Sequence, residues 1–310
     1  MSNDSSGSEW ELYRYTPSKG AAIALTVLFI VTTLIYSFQV VWDARKASKP
    51  EVDNPFDTPV DKCESITAII LGEKNYKKLT VRSTFSAFIP LFFGCIMEIV
   101  GYIARAVSSS NTKEIAPYVI QAVLLLIAPA LYAATIYMLF GRLLHVMRCE
   151  SLMIVSSRFG TSFFVFGDVV SFCLQAAGGG LMATVNGRTT GSNLITAGLV
   201  IQIVFFGIFI INEVRFSYSV ARVCPFYSHI SKKWWFLNLT LMLSSILIMV
   251  RSIVRLVEFV EGYDGFIISH EYFIYVFDAV PMLLAAIVFI VGSFFGNIFT
   301  TITECQSLKP

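Results

Sequence analysis

Long uninterrupted hydrophobic runs dominate the chain. Seven of them have the roughly 20 apolar residues that an α-helix needs to cross the hydrocarbon core of a bilayer, and polar or turn residues such as Asn186-Gly187 separate them. None shows the period-two alternation of a membrane-spanning strand. The pattern therefore predicts an all-α polytopic membrane protein. Its seven transmembrane helices are predicted at Gly20–Trp42, Thr84–Val107, Ile115–Leu144, Phe159–Thr184, Leu194–Phe216, Trp235–Phe259 and Tyr272–Phe299.

The composition supports a membrane protein. Of the 310 residues 55% are hydrophobic and 14% are charged, with a mean hydropathy of +0.70, whereas about 25% charge is usual in a soluble domain. The net charge of +2 is too small to indicate a nucleic-acid partner. We expect a single membrane domain over residues 1–310, with an outer tail at 1–19, a basic cytosolic connection at 43–83 and a cytosolic tail at 300–310.

The placement of Lys and Arg predicts the orientation. If each residue near a span end is counted with its adjacent connection, 16 of the 23 basic residues belong to the first, third and fifth connections and the C-terminal tail. Five belong to the opposite side, and two lie inside span six. By the positive-inside rule the N-terminus is outside and the C-terminus is cytosolic. The Asn-X-Ser sequon at Asn3 is then a candidate glycosylation site.

Span four carries the most polar interior. As a helix it would bring Asp168, Ser171, Gln175 and Gly178 onto one face. A charged side chain in the middle of the bilayer costs about 2.5–3.5 kcal/mol or more, so Asp168 should face protein or a water-filled cavity. Gly178 and the adjacent Gly179 would let a backbone or a ligand approach closely. A polar clasp that only holds helices together is the alternative interpretation.

Three other spans carry charged or polar faces. Counting helical rise from the predicted span ends puts most of these groups in the outer half of the bilayer, with Asp168 deeper. One polar cavity could gather them, in which Arg251 or Arg255 can pair with Glu98 or Asp278 and lower the cost of burial. Acids outnumber bases there, so a surplus acid could carry a proton or receive an amine. A fixed ion-pair network without a ligand remains the alternative. The residues are Glu98, Tyr102 and Arg105 in span two, Arg251, Arg255 and Glu258 in span six, and Glu271, Tyr275 and Asp278 in span seven.

Two intramembrane prolines are predicted to kink their helices. Pro129 in span three and Pro281 in span seven each begin the pattern Pro-x-Leu-x-Ala-Ala, 152 residues apart. Each proline removes one backbone hydrogen bond. The matching pattern suggests a weak parallel repeat of three spans on either side of span four.

Several chemistries find no support in the sequence. There is no Gly-rich loop followed by Lys and Ser or Thr, so the chain carries no ATPase motif. Its three histidines are too dispersed for a three-His zinc site. We expect a protein that is not an enzyme and that holds no metal or cofactor.

The polar residues resemble the pattern of the fungal lipid-translocating exporter family over Phe85–Phe295. The family includes aminocholesterol-resistance, molasses-resistance, long-chain-base exporter and protoporphyrin transporter types, and the length and compact tail are most similar to the molasses-resistance type. The resemblance adds Gln202 to the predicted cavity. The matching residues are Glu98, Gly101-Tyr102, Arg105, Pro129, Ala133-Ala134, Tyr137, Asp168, Gln175, Gly178 to Gly180, Gln202, Arg251, Arg255, Glu258, His270-Glu271, Tyr275, Asp278 and Pro281-Met282.

The resemblance implies a multi-pass protein of the plasma membrane or another endomembrane that translocates or exports a sphingoid base, sterol amine or similar toxic amphiphile. In this hypothesis Asp168 and Asp278 receive a cationic head group or a proton, and Glu98 with Arg251 and Arg255 forms a gate. The expected partners are membrane lipids and an amphiphilic small molecule, with no nucleic acid. One alternative is a membrane-stress sensor acting through a cytosolic protein partner, and another is a porphyrin-type transporter.

Overall fold

The computed structural model describes residues 18–48, 81–110, 114–147, 157–182, 187–223, 232–261 and 271–307. Every regular element in these ranges is helical, and seven helices are long and apolar enough to cross a membrane, which confirms the predicted architecture. Asn3, His270 and residues 49–80 of the predicted basic connection lie outside the described residues. Spans one to seven are Lys19–Ser48, Ser83–Ser108, Ala116–Val146, Gly160–Met182, Thr189–Val220, Lys233–Glu261 and Tyr275–Ile302.

The helices extend past the hydrophobic runs because a helix satisfies its own backbone hydrogen bonds in lipid and in water alike. Span two begins with a short helix and a 3-10 turn, and Pro90 occupies the first turn of its main helix, where a missing N–H costs nothing. The helical segments are Lys19–Ser48, Val81–Phe85, Ser86–Phe88, Ile89–Ser108, Ile115–Val146, Ser157–Met182, Arg188–Val223, Lys233–Glu261, Glu271–Ile274, Tyr275–Ala279, Val280–Phe295 and Ile298–Ser307.

Consecutive spans pack against each other, and span seven returns to contact span one. Spans four and five share the most extensive interface. Span three also contacts span six, and it is the most buried of the seven helices. Between spans three, four and five, the ring of Tyr137 packs against Phe164, Phe206 and Phe209, with its centroid 4.6 Å from that of Phe209. Span three is therefore the central element on which the polar groups of its neighbours converge.

Span seven is broken near its predicted inner end. Gly296 is extended, and a Cβ on it would clash with the backbone carbonyl of Lys233, so this close approach requires glycine. Asn297 then accepts a hydrogen bond of 2.8 Å from the Phe299 N–H and starts a final helix, Ile298–Ser307. Phe299 and Ile302 are buried. The first part of the predicted tail at 300–310 thus packs against the bundle.

Candidate functional site

A buried ion cluster joins spans six and seven. The Arg251 Nε lies 2.7 Å from Asp278 Oδ1, and both side chains are 6% exposed. Arg255 approaches the same oxygen at 3.6 Å and pairs with Glu258 at 3.0 Å. Arg251 also donates a 2.6 Å hydrogen bond from Nη2 to the backbone carbonyl of Leu125 in span three. One arginine therefore links three spans, and the predicted pairing of Arg251 or Arg255 with Asp278 is present.

Glu98 lies beside this cluster and forms no ion pair with any residue that the structure describes. It is 1% exposed, and its Oε1 has no hydrogen-bond partner. Arg251, Arg255 and Asp278 all act electrostatically on its carboxyl group. Asp278 thus takes the close contact with Arg251, and Glu98 remains as a second acid within electrostatic reach of the same guanidinium group.

Arg105 belongs to a separate contact that ties spans two, seven and one together. Its Nε donates to the Tyr275 hydroxyl at 3.1 Å, and its guanidinium lies 5.0 Å from the centre of the Tyr275 ring. The Tyr275 hydroxyl donates to the Ser18 carbonyl at 3.3 Å. Tyr102 is buried, and its ring stacks on Phe29 with centroids 5.6 Å apart. Both residues of span two therefore anchor neighbouring helices.

A π-helical turn at Tyr275–Ala279 carries the span-seven groups of both contacts. It ends two residues before Pro281, which has no N–H to donate and whose ring would press on the carbonyl of Phe277 in an α-helix. Wider turns of this kind are frequent at functional sites. In span three, by contrast, the α-helix is uninterrupted through Pro129. The side chain of Glu271 lies outside the described part of the chain.

Two polar residues of span four, Ser171 and Gln175, face span five. Ser171 donates a 2.7 Å hydrogen bond to the Gly198 carbonyl, and the Gln175 amide donates to Ser171 Oγ at 2.7 Å and to Gln202 Oε1 at 3.2 Å. These contacts form an interhelical clasp, which is the alternative that the sequence left open for this face.

The glycines of span four do not share one environment. A Cβ on Gly178 would come within 2.6 Å of the Gly191 carbonyl oxygen and 2.7 Å of Ile195 Cγ1, so this glycine permits close packing on span five. Gly179 has nothing within 4 Å of the same position and is exposed. Of the two glycines in the predicted cavity, Gly178 and Gly179, only Gly178 lies at a helix contact.

Asp168 lies apart from both the clasp and the ion cluster. It is 6% exposed, neither carboxylate oxygen has a hydrogen-bond partner, and its polar neighbour is the Tyr137 hydroxyl of span three, outside hydrogen-bond geometry. Among the described residues no base is paired with it. Tyr137 also lines a small pocket of about 10 Å³, which is partly open to the surroundings. The other lining residues are Phe140, Gly141, Gly160, Thr161, Phe164 and Phe209.

Sequence reasoning missed a further buried acid, Glu213 of span five. Its side chain is fully buried, both its oxygens lack hydrogen-bond partners, and Ser245 of span six is its polar neighbour. The signal was available, because Glu213 interrupts a hydrophobic run in the same way as Asp168. Its nearness to the predicted end of span five made it look like a boundary residue.

The described residues thus hold two kinds of buried acid. Asp278 and the partly buried Glu258 have arginine partners, whereas the buried Asp168 and Glu213 have none. Paired acids can hold helices in one arrangement, and unpaired acids can accept a proton or a cation. No group of three or more His, Cys, Asp or Glu side chains that could hold a metal ion occurs among the residues that the structure describes.

Comparison with known proteins assigns the chain to a protein family. Residues 91–302 match the family described as "RTA1 like protein". The chain is 98% identical to Protein RTM1 of Saccharomyces cerevisiae over 310 residues, and 62% identical to Protoporphyrin uptake protein 1 of the same species over 309 residues, with 100% of both chains covered in each case.

A more distant relative carries a transporter name. The chain is 29% identical over 228 residues to Sphingoid long-chain base transporter RSB1 of Saccharomyces cerevisiae, which covers 62% of this chain and 60% of that protein. No solved structure matches. The resemblance seen in the polar residues is confirmed, since the matched region contains spans three to seven in full and most of span two. The chain belongs to the RTA1-like family of multi-pass membrane proteins.

Proposed function

We propose that this protein moves a cationic amphiphile across the membrane, as an exporter that confers resistance to it. The observation that carries the proposal is Asp168, a buried carboxyl group that has no basic partner among the described residues and lies beside Tyr137, whose ring packs in an aromatic cluster. A cationic head group would supply the missing charge, and aromatic faces attract cations. The transporter name of the sphingoid-base relative and the family's membrane architecture support the same class of function.

The ion cluster would act as the outer gate. Arg251 holds Asp278 of span seven and the Leu125 carbonyl of span three at the same time. Glu98 offers a second carboxyl group to Arg251, so a change of partner from Asp278 to Glu98 would release span seven while keeping the guanidinium paired. This refines the sequence-based roles, because Asp278 is occupied by arginines and Asp168 is left as the acceptor.

The proposal also covers the orientation of the protein, the membrane in which it acts and the energy source for export. Basic residues favour a cytosolic C-terminus, and we expect the plasma membrane as the site of action. The chain carries no ATPase motif. Export would therefore follow the concentration gradient of the amphiphile itself or be coupled to the gradient of a second solute. With membrane lipids and the amphiphile as partners, the chain needs no catalytic step of its own.

The test is movement of a fluorescent long-chain base across proteoliposomes that contain only this protein. We expect wild-type protein to accelerate movement and Asp168→Asn to abolish the acceleration. Asp43→Asn, the same chemical change in a half-buried residue near the predicted inner end of span one, serves as the matched control. Full activity in a well-folded Asp168→Asn protein would refute the assignment of the acceptor.

A second candidate is a porphyrin-type transporter, which the 62% identity to Protoporphyrin uptake protein 1 favours. Protoporphyrin is therefore run in the same vesicles. Movement of protoporphyrin without movement of the long-chain base would select this candidate. Absence of movement for both compounds, with a retained cellular resistance phenotype, would select the membrane-stress sensor.

A further inference from the structure

Glu213 is the most completely buried acid that the proposed function leaves unused. It lies on span five with its side chain 0% exposed, beside the equally buried Ser245 of span six. Among the described residues, neither Glu213 carboxylate oxygen nor the Ser245 hydroxyl has a hydrogen-bond partner. A buried polar group without a partner costs free energy, and an isolated ionised carboxylate costs far more. The site therefore needs a ligand that removes the charge.

No described basic side chain compensates the negative charge of an ionised Glu213. The described basic side chains on the elements around span five are Arg142 and His145 of span three and Lys233, Arg251 and Arg255 of span six, and none of them acts on the Glu213 carboxyl group. Arg142 donates to the Thr84 carbonyl, and Arg251 is held by Asp278. Arg215, two residues along span five, is exposed.

Few described acidic side chains lie on the helices that pack against span five. Asp168 is the described acid on span four, the other helix packed extensively on span five, and its polar neighbour is Tyr137. On span six, Glu258 pairs with Arg255, and Glu261 is exposed at the far end of the helix. Neither Asp168 nor these two acids acts on Glu213. Burial and Ser245 therefore define the electrostatic environment of this carboxyl group.

A polar path leads from Glu213 toward the predicted cytosolic side. One turn further along span five, Ser217 Oγ donates a 2.9 Å hydrogen bond to the Glu213 backbone carbonyl. Asn238 Nδ2 of span six donates to Ser217 Oγ at 2.6 Å, and Asn238 Oδ1 is buried without a partner. Glu213 lies ten residues before Val223, the last residue of the helix, which is about 15 Å of helical rise.

We propose that Glu213 and Ser245 form a proton-binding site between spans five and six, which exchanges its proton with the predicted cytosolic face and couples amphiphile movement to a proton gradient. Proton binding turns the carboxylate into a neutral carboxyl group whose O–H donates to Ser245 Oγ, and release restores the carboxylate. One hydroxyl and one carboxyl group form too sparse an oxygen shell for a metal cation, whereas a proton needs one acceptor. The coupling rests on the proposed function, but the binding site does not.

Infrared difference spectroscopy of the purified full chain tests the site without any transport. At neutral pH we expect the carbonyl stretch of a protonated carboxyl group in the wild type, its loss in Glu213→Gln and its retention in Glu261→Gln, the matched control on an exposed acid. Ser245→Ala should shift the band, because the hydrogen bond to the carboxyl group is removed. A band that is unchanged in both Glu213→Gln and Ser245→Ala would overturn the site, as would an ionised carboxylate at this position.

Transport in proteoliposomes tests the coupling. A pH gradient should accelerate wild-type movement of the fluorescent long-chain base, and Glu213→Gln should keep the downhill rate but lose all response to the gradient. A gradient response that persists in Glu213→Gln overturns the coupling. If wild-type protein moves no amphiphile, the proposed function fails, while the infrared band still decides the proton site. A Glu213→Gln protein that cannot fold would contradict the site as well, because glutamine is the neutral isostere.

Discussion

The ion cluster should respond unequally to the loss of its two central partners. Arg251 and Asp278 make the same 2.7 Å contact, so a simple count of broken interactions predicts equal costs for Arg251→Met and Asp278→Asn. The surroundings are not symmetrical. A spare acid, Glu98, lies within electrostatic reach of Arg251, whereas Arg255 is already engaged with Glu258. The cluster can therefore replace a lost acid more readily than a lost base.

The magnitudes follow from what each variant leaves behind. Arg251→Met leaves Asp278 with only the 3.6 Å contact to Arg255 and removes the hydrogen bond to the Leu125 carbonyl. Breaking a buried ion pair by removing one partner costs about 3–5 kcal/mol, and we expect that range. Asp278→Asn leaves Arg251 with the Leu125 carbonyl and with Glu98, so we expect about 1–3 kcal/mol, the cost of an imperfectly satisfied buried group.

The assay is the free energy of unfolding in mixed detergent micelles. Glu98→Gln carries the sharpest test: in the wild-type background it should cost little, because Asp278 already neutralises Arg251. In the Asp278→Asn background it should cost about 3–5 kcal/mol, because Glu98 is then the remaining counter-charge for Arg251. Arg215→Met, on an exposed face, is the control. Equal costs for Glu98→Gln in both backgrounds would refute this account.

Three further variants test the helix contacts. Gly178→Leu should destabilise the protein by about 1–3 kcal/mol through overpacking against span five, whereas Gly179→Leu should unfold like the wild type; equal thermal unfolding curves would contradict the packing. Ser171→Ala should cost about 0.6 kcal/mol, the average for an interhelical hydrogen bond in a bilayer, and a measured loss above 2 kcal/mol would indicate a larger role. Pro281→Ala should slow amphiphile movement in proteoliposomes by regularising the π-helical turn, while Pro129→Ala in uninterrupted helix should not.

The seven spans could be predicted because lipid imposes a simple rule on sequence. A segment in the hydrocarbon core must be apolar for about 20 residues and must satisfy its own backbone, so each span is visible as one run. The same rule made Asp168 and Asp278 conspicuous, and both are buried. The helix ends were harder to predict, because helices such as Arg188–Val223 continue into polar sequence where hydropathy gives no signal.

The partners of each polar residue could not be predicted, because they depend on how the helices rotate against one another. Periodicity put Asp168 and Gln175 on one face of span four, but a helical face is wide enough to meet two neighbours. The structure directs Asp168 to span three and Gln175 to span five. Likewise, Glu98 and Asp278 were equivalent candidates for Arg251 on the basis of depth, and only the packing of span seven distinguishes them.

The separation of paired from unpaired acids has a consequence for how movement across the membrane would be organised. Asp278 is paired with arginines in the predicted outer half, whereas Asp168 and Glu213 are nearer the predicted inner face and have no basic partner among the described residues. A cation arriving at Asp168 meets no fixed positive charge, but further outward it would meet Arg251 and be repelled. Outward passage therefore requires those guanidinium groups to move away from its path, and Glu98 offers Arg251 an alternative partner. Because Arg251 would stay paired while it moves from Asp278 to Glu98, opening the gate would avoid the cost of an unpaired buried charge.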